Sequence, residues 1–495
     1  MNFKSNFLIN TALIFLAASC NNIENNPPAL AKRHCSTCHA FTEPSLLTKK
    51  IWDSGVFPEM AYRMGLDFSR LPMTTPHELK EILNAIPATP LVTEEEWKTI
   101  KEYYIRNAPD TLPSATQKDF LPLQQFNPSL FQLRITNGTA LTMIEFDDDS
   151  KNFYIGTRKA KMFQLTASLE LEDSFQLASP PSSIIFQNTG QHIVALMGIM
   201  DPNDQPAGTV VRLTSREENP LPLIDSLKRP VYIDQADLNN DGQKDLVVSA
   251  FGNLTGALLA FEKTDHDYRP HLIHPFPGTR KTIICDFNQD GLPDILALIT
   301  QGNEQIALFT NRGNFKFSYR VLLRFPAVYG SSYFELCDFN KDGSPDILYT
   351  NGDNADYSAI LKPYHGVRIF LNDGKNDFSE SLFYPLHGAS VARAIDFDED
   401  GDLDIAAISF FPDFRKHPEQ GFVYFQNNAG SLTPYITKLA GSSRWITMES
   451  ADIDRDNDVD LLLGALTFPN GVPDSLYQEW GKQKTSLLIL RNNLR

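Results

Sequence analysis

The sequence predicts a small all-α domain followed by an all-β ring of seven four-stranded units, a seven-bladed β-propeller with calcium loops. Three observations carry this. An acidic nine-residue stretch recurs five times, starting at Asp237, Asp286, Asp338, Asp396 and Asp452, so the steps are 49, 52, 58 and 56 residues. Self-similarity at that period marks a repeat architecture. Each interval holds about four short strand-like runs, the content of a propeller blade. Upstream of the repeats, helical periodicity replaces the strands.

The chain opens with MNFKSNFLINTALIFLAASC. Lys4 makes a short positive region, and Phe7–Ala18 is an apolar run too short to span a bilayer as a helix. Leu16-Ala17-Ala18-Ser19-Cys20 resembles a bacterial lipobox. The resemblance implies that 1–20 is a lipoprotein signal peptide, with Cys20 lipidated at the mature N-terminus. Residues 21–29 then read as a polar tether. The expected place is outside the cytoplasm, held to the outer membrane by the lipid alone, facing periplasm or cell surface.

Residues 35–39 are Cys-Ser-Thr-Cys-His. CxxCH is the attachment signature of haem c: Cys35 and Cys38 add to the vinyl groups, and His39 becomes the proximal iron ligand. Zinc would need a second ligand pair, and a thioredoxin-like motif would need a surrounding βαβ pattern. Leu46–Trp52 and Pro76–Ile86 read as helical. Thr93 with Glu96 makes a capping box that starts a helix to about Asn107, with Trp97, Ile100, Tyr104 and Ile105 as its apolar face. Residues 30–108 thereby resemble a small cytochrome c-like domain. The order Trp52…Met60 is similar to the distal segment of bacterial cytochromes. The sixth ligand is drawn from Met60, Met64 and Met73, with His34 and His77 as outsiders. Met60 is preferred, because a Gly/Pro-bearing segment can bring a thioether over the haem. Met/His ligation raises the haem potential, which suits electron transfer.

Residues 109–130, with Pro109, Pro113, Pro122 and Pro128, read as a semi-rigid linker. The propeller is expected over 131–495. Its loops place oxygen side chains at positions 1, 3, 5 and 9 and a turn residue at 6. The sets are Asp237, Asn239, Asp241, Asp245; Asp286, Asn288, Asp290, Asp294; Asp338, Asn340, Asp342, Asp346; Asp396, Asp398, Asp400, Asp404; and Asp452, Asp454, Asp456, Asp460. Alternating carboxylates on a sharp turn are the ligand pattern of calcium, so up to five ions are expected. Two degenerate copies, 145–156 and 184–196, complete seven units. Asn372-Asp373-Gly374 between strands is a hairpin signal. These units resemble FG-GAP/VCBS repeats of calcium-bearing propellers. The last unit lacks a fourth strand, and Phe131–Ile135 is a strand without a unit. Pairing the two would close the ring.

Net charge is −17, and nineteen aspartates lie in the five loops. No basic patch is visible, so nucleic acid is not an expected partner. Cys285 and Cys337 precede two loops and are expected as small buried residues rather than a disulfide. No serine-histidine-aspartate order, phosphate loop or zinc-protease motif occurs. Tyr357, Tyr364 and His365 form a candidate ligand surface in a long connection, and Arg444-Trp445 precedes the last acidic loop. The reading is an electron carrier whose partner is a redox protein or a small electron donor, the propeller serving as platform for a glycan or protein ligand. A propeller oxidoreductase feeding its own haem and an adhesion or glycan-binding propeller are the alternatives.

Overall fold

Residues 26–69, 71, 75–115, 119–133, 140–188, 190–214, 219–353 and 360–494 are described by a computed structural model. Cys20, Met73 and Tyr357 lie outside these residues, as does the side chain of His77. Two compact units emerge. One holds the described residues up to Leu71 together with Ile86–Asp110, and the other holds Thr75–Ala85 and the described residues from Thr111 onward.

The first unit is helical. Pro27–Cys35 starts with an Asn26 cap whose side chain accepts from the Ala29 amide. Lys49–Ile51, a π-turn over Trp52–Val56 and Phe57–Arg63 run head to tail. Glu94–Asn107 begins at Thr93 with both halves of the capping box formed. Its Ile100 and Tyr104 are buried. Tyr104 packs on Trp52 at 4.4 Å and on Phe57 at 5.6 Å, and its hydroxyl donates to Thr42 O at 2.8 Å.

The second unit is a seven-bladed propeller. Seven sheets follow one another in the chain, and their first strands are Leu141–Asp147, Pro181–Ile185, Pro230–Ala236, Thr279–Cys285, Ser331–Cys337, Ala389–Ile395 and Trp445–Ala451. Each first strand touches its counterparts in the blades before and after, and the last touches the first, so they form a closed inner ring. All seven carry a register shift after their first residue, a β-bulge that strengthens local twist. The second strands of blades 3 to 7 are buried at every position. That explains why sequences such as DILALI and DIAAIS are apolar runs and not alternations: neighbouring blades cover both faces. Cys285 and Cys337 end two inner strands as free, half-buried thiols.

The ring closes as the edge argument requires, with a correction to which strand closes it. Phe126–Phe131, not Phe131–Ile135, pairs antiparallel with Leu487–Asn492 as the fourth strand of blade 7. Just before it, Leu121–Pro122 pairs parallel with Tyr435–Ile436 on the outer edge of blade 6. Leu121–Pro122 and the proline-bearing Phe126–Phe131 are therefore edge strands, where a missing amide is tolerated.

In a four-stranded meander the first and third connections share one end of the blade and the second shares the other. The acidic loops thus all lie on one face. On the opposite face the second connection is long in blades 5, 6 and 7: 352–365, 410–421 and 466–486, the last containing the helix Asp474–Gln483. We call these the loop face and the insertion face.

Candidate functional site

The five acidic loops adopt one conformation. Position 6 has positive φ in each, at Gly242, Gly291, Gly343, Gly401 and Asn457, and so does position 4, at Asn240, Gln289, Lys341, Glu399 and Arg455. Such backbone in non-glycine residues costs of order 1 kcal/mol, a strain held five times over for the turn. The amide of position 6 donates to the position-1 carboxylate in every copy, at 2.8–3.2 Å. In two loops the oxygens of positions 1, 3 and 5 converge: those of Asp396, Asp398 and Asp400, and of Asp452, Asp454 and Asp456, lie within 4.8 Å of one another. Asp396 Oδ1 is buried with no hydrogen-bond partner among the described residues. This donor set suits a hard divalent cation.

Position 9 is placed differently. Asp245, Asp294, Asp346, Asp404 and Asp460 are fully buried at the start of the second strands. Each accepts the amide of a residue in the third strand, from Lys263, Asn311, Asn372, Asn427 and Asn492 at 2.7–2.8 Å. In four loops each also accepts the amide of position 2, from Leu238, Phe339, Phe397 and Ile453. Four of those third-strand residues are asparagines, whose side chains donate back to the carbonyl of position 8. Burial raises the Asp404 and Asp460 carboxyls to about 6. The ninth residue is thus a staple joining the second strand to the third and, in four blades, to the acidic loop itself, whatever else it binds. The recurring asparagines were a usable signal, hidden because insertions vary their distance from the loop.

In the helical unit, Cys35 and Cys38 are both free thiols, and burial pushes that of Cys35 up. His39 is half-buried, and its Nδ1 lies 2.8 Å from Ala40 O. A carbonyl only accepts, so Nδ1 is the donor of this contact, and in the neutral ring Nε2 keeps the lone pair. Fixing one ring nitrogen to orient the other is how ligating histidines are held. Two unbridged thiols and an oriented imidazole in sequence fit a covalently held haem. Met60 lies half-buried on Phe57–Arg63 rather than on an irregular segment, one turn before Met64.

The inner ring holds a charged layer that was not anticipated. The fifth residues of the inner strands include Glu145, Asp234, Glu335, Arg393 and Glu449, and the third residues include Tyr232, Lys281 and Tyr333. Arg393 bridges blades, 3.6 Å from Glu335 and 3.5 Å from Glu449, and donates to the Tyr333 hydroxyl. The Lys281 ammonium sits 3.8 Å from the Tyr333 ring centre. Burial raises the Glu145 and Glu449 carboxyls, and the charge on Glu449 adds to this at Glu145. Burial, then Arg393, lowers Lys281 to about 7. Each residue alone looks like an ordinary polar strand position; only ring closure brings them together.

The candidate surface on the insertion face is corrected. Tyr364 and His365 are 8% and 4% exposed, and Lys362 beside them is 2% exposed. Tyr364 stacks on Tyr329 at 5.1 Å, and its carbonyl accepts from Asn351 and Arg368. These residues pack the connection instead of presenting it. Nearby, Glu304 is 2% exposed and accepts from Gly330 N, Ser331 N and Ser331 Oγ at 3.0, 2.7 and 2.5 Å. Burial raises its carboxyl to about 7. A folded-state pKa above the unfolded one means that the fold binds the extra proton. The resulting stability is present at pH 4 and is lost as pH rises through 7, by up to about 3 kcal/mol. Glu304→Gln is expected to remove this slope: urea midpoints of the two proteins at pH 5 and pH 8 should show the wild type losing ground relative to the variant at the higher pH.

Arg444 is another buried cation. It is 0% exposed, immediately before the inner strand of blade 7. Its Cζ lies 5.1, 5.0, 4.8 and 4.0 Å from the ring centres of Phe410, Phe411, Phe414 and Phe468. One bond runs from Nη2 to Asn470 O at 2.5 Å, while Nε and Nη1 have no partner among the described residues. Cation–π contacts are worth about 0.5–2 kcal/mol each, which offsets part of the several kcal/mol lost on burying a charge.

Residues 286–349, spanning the loops of blades 4 and 5, match the FG-GAP-like repeat family. Among solved structures, the chain is similar to the WD40 domain of Neurospora crassa Pan2, at 12% identity and TM-score 0.47, over 75% of this chain and 98% of that one. It is also similar to the N-terminal domain of Nup159, at 11% identity and TM-score 0.43, over 76% and 99% of the two chains. The extracellular domain of BT4673 from B. thetaiotaomicron matches at 10% identity and TM-score 0.43, over 74% of this chain and 40% of that one. The blade count rests on the strand pairing above.

Proposed function

We propose that this chain is an exported electron-transfer lipoprotein. In this reading the helical unit carries one haem c, and the FG-GAP-type propeller, stiffened by up to five calcium ions, is a docking and ligand-binding platform. The supporting observation is the local chemistry of Cys35, Cys38 and His39: two free thiols, and an imidazole whose Nδ1–H is spent on Ala40 O so that Nε2 is available. Cys35 and Cys38 would hold the group through thioethers, His39 would ligate it, and Met60 is the favoured sixth ligand. Bound haem c supplies one-electron chemistry; the chain would supply attachment through Cys35 and Cys38 and axial ligation through His39 and Met60. Cys20 would anchor the protein to the outer membrane through its lipid, and the redox partner would be a protein or a small electron donor.

The test is an optical spectrum of the exported protein with mass analysis of the intact chain. Covalent haem, a reduced α-band and a sulfur-to-iron band lost in Met60→Ala are expected, and Cys38→Ala should leave at most one thioether. A chain exported in a haem-attaching host without covalent haem would overturn the reading. The charged inner ring favours a second reading, an oxidoreductase that passes electrons from a site among Glu145, Lys281, Arg393 and Tyr333 to its own haem. Haem reduction on incubation with sugars or alcohols, abolished by Arg393→Met, would select it over the pure carrier.

A further inference from the structure

We infer that the insertion face of blades 6 and 7 binds a small carboxylate with a flat apolar body, the anion received by Arg444 and the body by the rings of Phe410, Phe411 and Phe468. The site rests on the platform reading of the propeller and gives it a ligand class. Arg444 is wholly buried, yet two of its three guanidinium nitrogens have no partner, and no carboxylate lies within ion-pairing distance among the described residues. Burial lowers it to about 9, so it is still charged at neutral pH. Three of the rings around it are half-exposed and touch one another, with centroids 4.8 Å apart for Phe410 and Phe411 and 5.7 Å for Phe410 and Phe468. A cation without an anion thus lies beneath an open aromatic surface.

Among the described residues, the one polar contact of the guanidinium is the carbonyl of Asn470, an exposed residue beside Gly471 at φ +75°. A carboxylate arriving in place of that carbonyl would take Nε and Nη2 as a fork, the arrangement in which arginine binds carboxylates most strongly. The ligand's charge follows from the walls. A single cation among phenylalanines neutralises a monoanion, whereas a phosphate dianion would keep one charge in apolar surroundings. The chain's net charge of −17 repels anions generally, so anion binding here reports this site and not adsorption.

The test titrates the full exported protein with sodium benzoate, benzamide and sodium phosphate, by calorimetry and thermal shift. Benzoate is expected to bind once per chain and raise the melting temperature, benzamide to bind at least about tenfold more weakly, and phosphate not at all. Arg444→Met, which keeps the apolar bulk, should lose benzoate binding. Phe468→Leu, which keeps the cation, should weaken it severalfold. No saturable benzoate binding, equal binding of benzamide, or unchanged binding in Phe468→Leu and Arg444→Met would overturn the site. If Arg444→Met does not fold, the wild-type benzoate-to-benzamide ratio with Phe468→Leu decides. Partner-driven haem reduction is a separate readout, so either this site or the carrier reading can fail alone.

Discussion

Replacing Asp404 by alanine is expected to destabilise the propeller by roughly 3–6 kcal/mol, with calcium or without it. The carboxylate accepts from Phe397 N, Asn427 N and the Tyr424 hydroxyl at 3.3, 2.8 and 2.6 Å, and it is 0% exposed. Alanine leaves these buried donors unmet, at about 1–3 kcal/mol each. Asp400→Ala, four residues earlier in the same loop, should behave otherwise. Asp400 is exposed and accepts only the Asp402 amide, at 2.8 Å. In a chelator its loss should cost under about 1 kcal/mol. With calcium in excess the same variant should fall behind the wild type, because an ion bound only to the fold adds stability that the damaged loop forgoes. Urea midpoints of both variants, in chelator and in calcium, make the comparison. An Asp404→Ala loss that appears only with calcium would show that position 9 acts as a ligand and not as a staple. A wild type whose midpoint ignores calcium would mean that the loops hold no ion. In either case, a helical unit that holds haem as proposed should keep its spectrum unchanged in the chelator.

The contrast between these two aspartates shows what the sequence could reveal. Positions 1, 3, 5, 6 and 9 were legible because their spacing is local and constant, and the apolar run after position 9 marked the buried second strand. The blade count, the Thr93 capping box and the need for a closing strand were legible for the same reason. Position 4 was not, since left-handed backbone at Gln289 or Lys341 leaves no mark on residue type. The partners of position 9 were not, because Asn311, Asn372, Asn427 and Asn492 come after connections of unequal length. The charged inner ring was invisible because it belongs to no single blade: Arg393 meets Glu335 and Glu449 only when three inner strands stand side by side. Tyr364 and His365 misled for a related reason. Polar aromatic residues in a long connection suggest a surface, but the side chains of Tyr364 and His365 are buried.

Deleting Phe126–Phe131 is expected to abolish cooperative folding of the propeller, and Phe126→Ala alone to cost about 3–5 kcal/mol. The segment supplies an entire strand: six residues pair with Leu487–Asn492, and without them blade 7 presents an open edge. Phe126 is 2% exposed and meets the rings of Phe397 at 5.2 Å and Tyr424 at 5.4 Å, both in blade 6. Gln125 reinforces the same seam, its side chain donating to Phe397 O at 3.0 Å and Asn492 Oδ1 at 2.7 Å. The closing strand therefore ties the last blade to the one before it as well as joining the two ends of the ring. Because these partners lie more than 250 residues away in sequence, the contact forms late and at a large loop-closure cost. Phe126→Ala should then mainly speed unfolding and leave the folding rate nearly unchanged. Stopped-flow urea jumps separate the two limbs. A variant that folds markedly more slowly while unfolding at the wild-type rate would place ring closure early, as the nucleus of the propeller and not its final latch.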